Sequence, residues 1–349
     1  MKRFISIFTA VALMAGCFTA CSTNRVQAAE GNKNLQIVTT IFPEYNWVMN
    51  ILGDNPAGAE VTMLLDNGAD LHSFQPSAAD IMKISTCDVF VYVGGESDEW
   101  VDDVLREAVN KDMIVINLMD ELGNAVKEEE IIEGMEEHEH EHEHEEDEEH
   151  EDHDEDHDHD HHEHHHEEGE IEYDEHVWLS LKNAAVLVES IAEAIVKADA
   201  ANAGTYRSNA SAYIDKLNAL DKEYSDMVSS ASRNVVLFGD RFPFRYMTDD
   251  YGLIYYAAFV GCSAESEASF ETVTFLAGKV DEHSLPVVLT IEGKEHKIAE
   301  TIINNTMAKD QKILSLDSMQ TTTMADVKNG TTYISVMEKN FEVLKEALN

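Results

Sequence analysis

The sequence predicts an α/β protein made of two parallel-sheet β/α lobes joined by one long rigid helix. Strand-like and helix-like segments alternate in each half of its 349 residues, which are enough for two domains of about 100–200 residues each. A long helical stretch without Gly or Pro separates the two halves. Because ligands of open parallel sheets bind beyond the carboxyl ends of the strands, we expect a ligand site in the cleft between the lobes.

The first lobe is expected over residues 34–202. Its apolar runs have the length of buried strands and alternate with segments of helical periodicity, a pattern typical of a parallel sheet covered by helices. The strands are predicted at residues 35–40, 60–65, 89–93 and 114–117. The helices are predicted at residues 45–52, 78–86, 100–110 and 183–197.

The second lobe is expected over residues 231–349, after an inter-lobe helix at residues 203–230. Within residues 206–229 of that helix, Tyr213, Leu217, Leu220 and Tyr224 recur at helical spacing. The strands of the second lobe are predicted at residues 235–238, 253–259, 287–291 and 313–316. Its helices are predicted at residues 270–281, 298–305 and 333–348.

An acidic tract at residues 128–172 interrupts the first lobe. It contains 26 carboxylates and no Lys or Arg, so it carries more than half of the net charge of −45. Apolar side chains are nearly absent after residue 136, and such a segment buries too little surface to offset its ordering entropy. We therefore expect the tract to be disordered. No basic segment suited to a phosphate backbone occurs, so nucleic acid is not an expected partner.

The N-terminus has the pattern of an export signal. Lys2 and Arg3 precede an apolar run at residues 4–15, which is too short for a membrane helix. A lipoprotein signal over residues 1–21 and a tether over residues 22–33 are expected. Cys21 is favoured over Cys17 as the acylated residue because a serine follows it. The expected location is outside the cell on the outer face of the cytoplasmic membrane, held by this lipid, and the alternative is an ordinary secretory signal.

If Cys21 carries the lipid and Cys17 leaves with the signal, two cysteines remain available, Cys87 and Cys262. An even pair in an exported protein permits a disulfide between them. The alternative is one buried thiol at Cys87 and one loop thiol at Cys262.

Four histidines lie outside the acidic tract: His72, His176, His283 and His296. His72 follows the second predicted strand in a polar loop, and His176 follows the tract. His283 is expected at a solvated helix end. Taken alone, each histidine suits a surface or capping role, so the joint placement of His72 and His176 carries the prediction of a site.

Acidic residues follow three predicted strands of the second lobe. Asp240, Glu292 and Asp317 each come directly or nearly directly after an apolar run. Two imidazoles and such carboxylates, meeting in the cleft, would form a nitrogen and oxygen site suited to zinc, manganese or iron.

Two motifs resemble the metal-binding solute receptors of bacterial ABC importers, the zinc and manganese TroA-like group. The pattern Gly-x-Asp-x-His-x-Phe-x-Pro-Ser at residues 68–77 is similar to that family's first ligand loop. Asp-x-His-Val-Trp-Leu at residues 174–179 is similar to its second. The resemblance covers the mature chain and implies His72 and His176 as ligands, with an ABC permease and its ATPase as separate partner chains. We expect a monomer.

The sequence departs from that family at the third ligand. The resemblance implies a histidine after the first strand of the second lobe, where this chain has Gly239. It implies Asp317 as the fourth ligand. Glu292 is the first candidate for the missing donor, Asp240 the second and His296 the third, and a Cys262 thiolate is a further option.

The tract itself offers 13 imidazoles among its carboxylates. Unperturbed imidazole has a pKa of about 6.5, so most of these side chains can bind metal at neutral pH, weakly because no geometry is preformed. A His-rich insertion of this kind is typical of the zinc-specific members of the family. The tract histidines are His138, His140, His142, His144, His150, His153, His157, His159, His161, His162, His164, His165 and His166.

The leading hypothesis is capture of Zn²⁺ for an ABC uptake system, with the tract as a low-affinity collector. The alternatives are a receptor for Mn²⁺, a zinc buffer or chaperone that uses only the tract, and a surface zinc hydrolase. We predict no enzymatic activity, because neither a His-Glu-x-x-His motif nor a nucleophile elbow occurs. A plain solubilising linker is the alternative role for the tract.

Overall fold

Two parallel sheets, one in each half of the chain, frame the protein. The computed structural model describes residues 34–135, 172–263, 267–293 and 295–349. The strands are β1 (Gln36–Thr39), β2 (Glu60–Met63), β3 (Val89–Tyr92), β4 (Ile114–Asn117), β5 (Val235–Phe242), β6 (Ile254–Val260), β7 (Val287–Thr290) and β8 (Lys312–Ser315). The first sheet has the order β2-β1-β3-β4 and the second the order β6-β5-β7-β8, with parallel pairing throughout.

Helices cover both sheets. They are α1 (Phe42–Leu52), α2 (Ala78–Thr86), α3 (Trp100–Arg106), α4 (Leu118–Leu122), α5 (Leu181–Ala198), α6 (Ala203–Ser230), α7 (Arg245–Tyr251), α8 (Phe270–His283), α9 (Lys297–Asn305), α10 (Met324–Lys328) and α11 (Tyr333–Leu348). All four residues of β3 and all four of β7 are buried, as expected for central strands with helices on both faces. The predicted fold class is therefore confirmed.

The two sheets repeat one topology. In each, the chain crosses from one side of the first strand to the other, between β1 and β3 in the first sheet and between β5 and β7 in the second. In open α/β sheets, the crevice at such a switch point receives the ligand, beyond the carboxyl ends of the strands. Of the candidate site residues, His72 lies in the loop after β2 and Cys262 in the loop after β6.

Helix α6 is the long connector that the sequence predicts. Its 28 residues span about 42 Å at 1.5 Å per residue, and one buried stripe runs along it. Through that stripe it packs against α1, α5 and α11. Helix α11 also joins the lobes. The Tyr333 backbone N–H donates to Asn46 Oδ1 at 3.1 Å, and the Tyr333 hydroxyl donates to the Trp178 carbonyl at 2.6 Å.

Some element boundaries differ from the prediction. Strand β5 continues to Phe242 instead of ending at 238, with an irregular register between Phe238 and Arg241. Helix α3 ends at Arg106, and the short helices α4, α7 and α10 were not predicted. Each of these short helices has seven residues or fewer, too few for a hydrophobic period to stand out in the sequence.

Several predictions concern residues outside the described part of the chain. They are the signal over residues 1–21 with Cys17 and Cys21, the tether and residues 136–171 of the tract with all of its histidines. Among the described helices, none combines the length and the apolar character needed to cross a bilayer.

Candidate metal centre

His72 lies in a short 3-10 turn, Leu71–Ser73, in the loop after β2. The Asp70 side chain caps this turn by accepting a hydrogen bond from the His72 backbone N–H at 3.1 Å. The imidazole Nδ1 is 2.8 Å from Ser97 Oγ and 3.4 Å from Glu175 Oε2. These contacts fix the ring so that Nε2 points away from them, towards the second histidine.

His176 is completely buried, directly before the 3-10 turn Val177–Leu179. Asp174 Oδ1 accepts hydrogen bonds from the His176 backbone N–H at 2.8 Å and from its Nδ1 at 3.0 Å. Because a carboxylate only accepts hydrogen bonds, Asp174 favours, of the two neutral tautomers of His176, the one with its proton on Nδ1. The lone pair on Nε2 is then available to a ligand.

The two imidazoles present their Nε2 atoms to each other at 3.2 Å. With both Nδ1 positions next to a carboxylate, the two lone pairs repel unless a cation or a proton lies between them. Two nitrogens bound to one tetrahedral zinc, at about 2.0–2.1 Å each, are separated by about 3.3 Å. The observed spacing therefore fits a shared metal ion without rearrangement of either ring.

Cys262 is the third ligand-bearing side chain at this point. It follows β6, and its Sγ, one ring nitrogen of His72 and one ring nitrogen of His176 all lie within 4.8 Å of one another. The thiol is free, and burial raises its pKa well above the ordinary value. A Cβ on the preceding Gly261 would come within 2.9 Å of His176 Cε1, so the loop lies directly on the imidazole.

Arg241 joins the two loops that carry His72 and Cys262. Its Nη2 donates to Asp70 Oδ2 at 2.8 Å, and its Nη1 donates to the Ser263 carbonyl at 3.3 Å. Burial acts to raise the pKa of Asp70, but the hydrogen bond and charge of Arg241 outweigh it and lower that pKa. One guanidinium thus connects the cap of the His72 turn with the loop of the second lobe.

A cavity of about 280 Å³ opens beside His72 and Cys262. Its other lining residues are mostly acidic: Glu96, Ser97, Glu129, Glu172, Tyr173 and Glu175. For Glu175, burial acts to raise the pKa, but hydrogen bonds from His72 and Ser97 outweigh it and lower it. An anionic cleft of this kind concentrates cations near the imidazoles.

The carboxylates expected as ligands are committed to backbone groups. Asp240 accepts from the backbone N–H groups of Arg241 and Ile291, and Glu292 accepts from the N–H and hydroxyl of Ser318, each at 2.7 Å. Asp317 accepts from the Met319 N–H, and burial together with the charge of Glu292 raises its pKa to about 6. Within the described residues, none of the three joins the cluster.

The geometry of β5 places Asp240 and Gly239 outside the cluster of His72, His176 and Cys262. Because β5 continues to Phe242, Asp240 lies within the strand and not in the loop that follows it. A Cβ at Gly239 would come within 2.6 Å of Ala299 Cα, so α9 leaves no room there for an imidazole. The site that the resemblance assigns to a third histidine is closed by backbone packing.

His283, His296 and Cys87 lie apart from the cluster. His296 precedes α9 and lines a different cavity of about 570 Å³, together with Asp240. His283 ends α8 and is partly buried, with its ring near Tyr256 instead of in solvent. The possible disulfide is not present: Cys87 is buried in the first lobe against Met113, far along the chain from the loop that holds Cys262.

Comparison with known proteins places this chain among zinc-binding relatives. Residues 37–347 match the family model described as ZnuA, zinc-uptake complex component A, periplasmic. The zinc-binding lipoprotein AdcA of Streptococcus pneumoniae is 31% identical over 99% of this chain. The high-affinity zinc uptake system protein ZnuA of Bacillus subtilis is 28% identical over 99% of this chain and 98% of its own length. The chain spans only 61% of the length of the AdcA relative.

Solved structures give the same grouping. The structure of Zn(II)-bound AdcA from Streptococcus pneumoniae matches 90% of this chain and 58% of its own, with a TM-score of 0.67 and 27% identity. The metal-dependent lipoprotein YcdH from Bacillus subtilis matches 90% of this chain and 99% of its own in fold, with a TM-score of 0.68 and 24% identity. With its matched two-lobed fold and a family model that covers nearly all of the described chain, this protein belongs to the family of ZnuA, the periplasmic zinc-uptake complex component A.

Proposed function

We propose that this chain is the extracytoplasmic receptor of an ABC uptake system for zinc, which captures the ion in the cleft between its lobes. The observation that carries the proposal is the 3.2 Å separation of the two Nε2 atoms of His72 and His176. That spacing is close to the roughly 3.3 Å expected for two imidazoles on one tetrahedral zinc.

The partners of the two rings support zinc binding in particular. Metal-bound histidines almost always donate their second ring N–H to a carboxylate, a carbonyl or water. Here Asp174 takes that role for His176, and Ser97 with Glu175 takes it for His72. The Asp174 contact is buried, so the orientation of His176 is set before an ion arrives. Asp317 remains the proposed carboxylate ligand of the second lobe, and Glu292 or water remains a candidate for a further donor.

The position of the site between lobes supports a transport role. Both rings come from the first lobe, whereas Cys262 and Arg241 come from the second, so a bound ion would hold the lobes in one arrangement. A permease can distinguish loaded from empty receptor only if the ion changes that arrangement. The permease and its ATPase would be separate chains. We propose a monomeric receptor, exported and tethered by a lipid on Cys21 or Cys17, in line with relatives that are named lipoprotein or periplasmic.

The acidic tract is proposed to collect metal near this cleft. Both of its described ends are paired: Glu129 N–H donates to the Glu172 carbonyl at 2.8 Å, and Asp174 N–H donates to the Lys127 carbonyl at 2.9 Å. Glu129 and Glu172 also line the cavity beside His72. The two described ends of the tract thus meet at an anionic entrance of the site.

Zinc titration tests this function. We expect one tight site in the full chain that is retained when residues 136–168 are deleted and lost in the double variant His72→Ala/His176→Ala. His283→Ala and His296→Ala are matched controls, because both change a histidine outside the cluster and should leave the tight site intact. Loss of all tight binding on deletion of the tract would favour a buffer over a receptor. Ester or amide hydrolysis that depends on His176 would favour an enzyme.

A further inference from the structure

We infer that Cys262 binds the metal as a thiolate, so that the cleft presents two nitrogens and one sulfur in place of a third histidine. This inference rests on the proposed function, because it concerns the same ion. Its basis is the cluster of Sγ and the two imidazoles, whose ligand atoms all lie within 4.8 Å of one another.

The distances require only a small closure. In a tetrahedral zinc site, with bonds of about 2.3 Å to sulfur and 2.0–2.1 Å to nitrogen, sulfur and nitrogen are about 3.6 Å apart. From a separation of at most 4.8 Å, the Cys262 loop would have to move by little more than about 1 Å. On binding, a metal–sulfur bond forms and the thiol proton leaves to solvent, so no oxidant or reductant is needed.

The loop around Cys262 is built against the site. Gly261 lies so close to His176 that any Cβ there would collide with the ring. Arg241 holds the Ser263 carbonyl on the other side of the cysteine, and Glu129 accepts the Cys262 backbone N–H at 3.4 Å. Contacts to three separate segments thus hold the backbone around Cys262 in place beside the two imidazoles.

Because no side chain fits at Gly239, the third donor has to come from another residue. The packing of Ala299 on Gly239 excludes a side chain there, and the second-lobe carboxylates are committed to backbone groups. Thiolate is a softer ligand than carboxylate, so it favours Zn²⁺, and its analogues Co²⁺ and Cd²⁺, over Mn²⁺. Nitrogen and oxygen donors suit both Zn²⁺ and Mn²⁺, so the sulfur ligand would give the site its preference for zinc.

Cobalt absorption spectroscopy tests the inference on the full chain. One equivalent of Co²⁺ bound to wild type should give the near-ultraviolet charge-transfer band of a cobalt–thiolate bond. Cys262→Ser should abolish the band, and Cys87→Ser should retain it as the matched control. The tract contains no cysteine, so cobalt held there cannot contribute to this band.

Zinc affinity gives the second readout. Cys262→Ser should weaken zinc binding by at least about 100-fold, beyond the 10–100-fold that loss of an outer partner costs, while changing Mn²⁺ affinity by less than about 3-fold. Cys262→His should restore zinc binding without the band, which excludes misfolding as the cause. A wild-type protein that binds cobalt through His72 and His176 but lacks the band would overturn the inference alone. Absence of any histidine-dependent binding would instead overturn the proposed function.

Discussion

The two lobes share a sheet topology but contribute to the site in different ways. The first lobe supplies both imidazoles together with the groups that orient them, Asp174, Ser97 and Glu175. The second lobe supplies Cys262 from a loop whose position depends on contacts with the first lobe, through Arg241 and Glu129. Half of the site is thus preformed within one lobe, and the other half depends on how the lobes meet.

This difference indicates how binding can be converted into a signal. A receptor with every ligand in one lobe would hold its ion whatever the lobe arrangement. Here the ion is bound fully only when the Cys262 loop reaches the preformed pair of histidines, so binding and lobe arrangement are coupled. Zinc binding and substitutions in each lobe can test this division.

Zinc should stabilise both lobes at once. At a free concentration of 100 times Kd, the ion should raise the free energy of unfolding by about 2.7 kcal/mol, because it binds only the folded state. Hydrogen exchange should then slow in residues 68–77 and in residues 261–263 together, and a chelator should reverse both changes. Protection confined to residues 68–77 would show that the second lobe takes no part in binding.

Removal of the carboxylate that orients His176 should have the next largest effect. Asp174→Ala leaves the buried ring without its Nδ1 acceptor, and we expect zinc affinity to fall by about 10–100-fold. Isothermal titration would measure the change. Asp103→Ala, which removes an exposed acid paired only with Arg106, is the matched control and should bind like wild type. An unchanged affinity in Asp174→Ala would mean that the first lobe does not preform its half of the site.

Loss of the guanidinium between the two ligand loops should weaken binding by about 10-fold. Arg241→Ala removes both the ion pair with Asp70 and the hydrogen bond to Ser263, so the Cys262 loop is no longer held to the His72 turn. A partly buried, charge-assisted hydrogen bond with a second bond from the same guanidinium exceeds an ordinary surface ion pair. Arg241→Lys should recover only part of the loss, because an ammonium cannot hold both acceptors in a fixed fork. Equal affinities for all three proteins would show that the loops need no such connection.

The carboxylates of the second lobe should matter least, and unequally. Glu292→Ala should weaken zinc binding by about 3–10-fold, since Glu292 holds Ser318, whose carbonyl receives the indole N–H of Trp178 beside His176. Asp240→Ala should change affinity by less than about 3-fold, because Asp240 serves the backbone of β5 and β7. A reversed order in parallel titrations would show that Asp240 matters more for zinc binding than the connection from Glu292 through Ser318 to Trp178.

Much of the first lobe's half of the site could be predicted because its determinants are local. In both ligand motifs an aspartate stands two residues before the histidine and accepts that histidine's backbone N–H, as Asp70 does for His72 and Asp174 for His176. Contacts over two residues leave a signature in the sequence. The sequence shows Cys262 directly after Gly261, which indicates a thiol in a loop. It does not show that this glycine packs against the imidazole of His176.

Hydrophobic periodicity was enough to predict the two β/α lobes and the connecting helix α6. The motifs around His72 and His176 indicated a pair of ligands through their resemblance to the family's ligand loops. The side chain that stands third beside these two rings depends on tertiary structure. The continuation of β5 past Asp240, the packing of α9 on Gly239 and the placement of Cys262 on His176 all depend on segments distant in the chain. Their positions follow from how helices pack on a sheet, which no local pattern records.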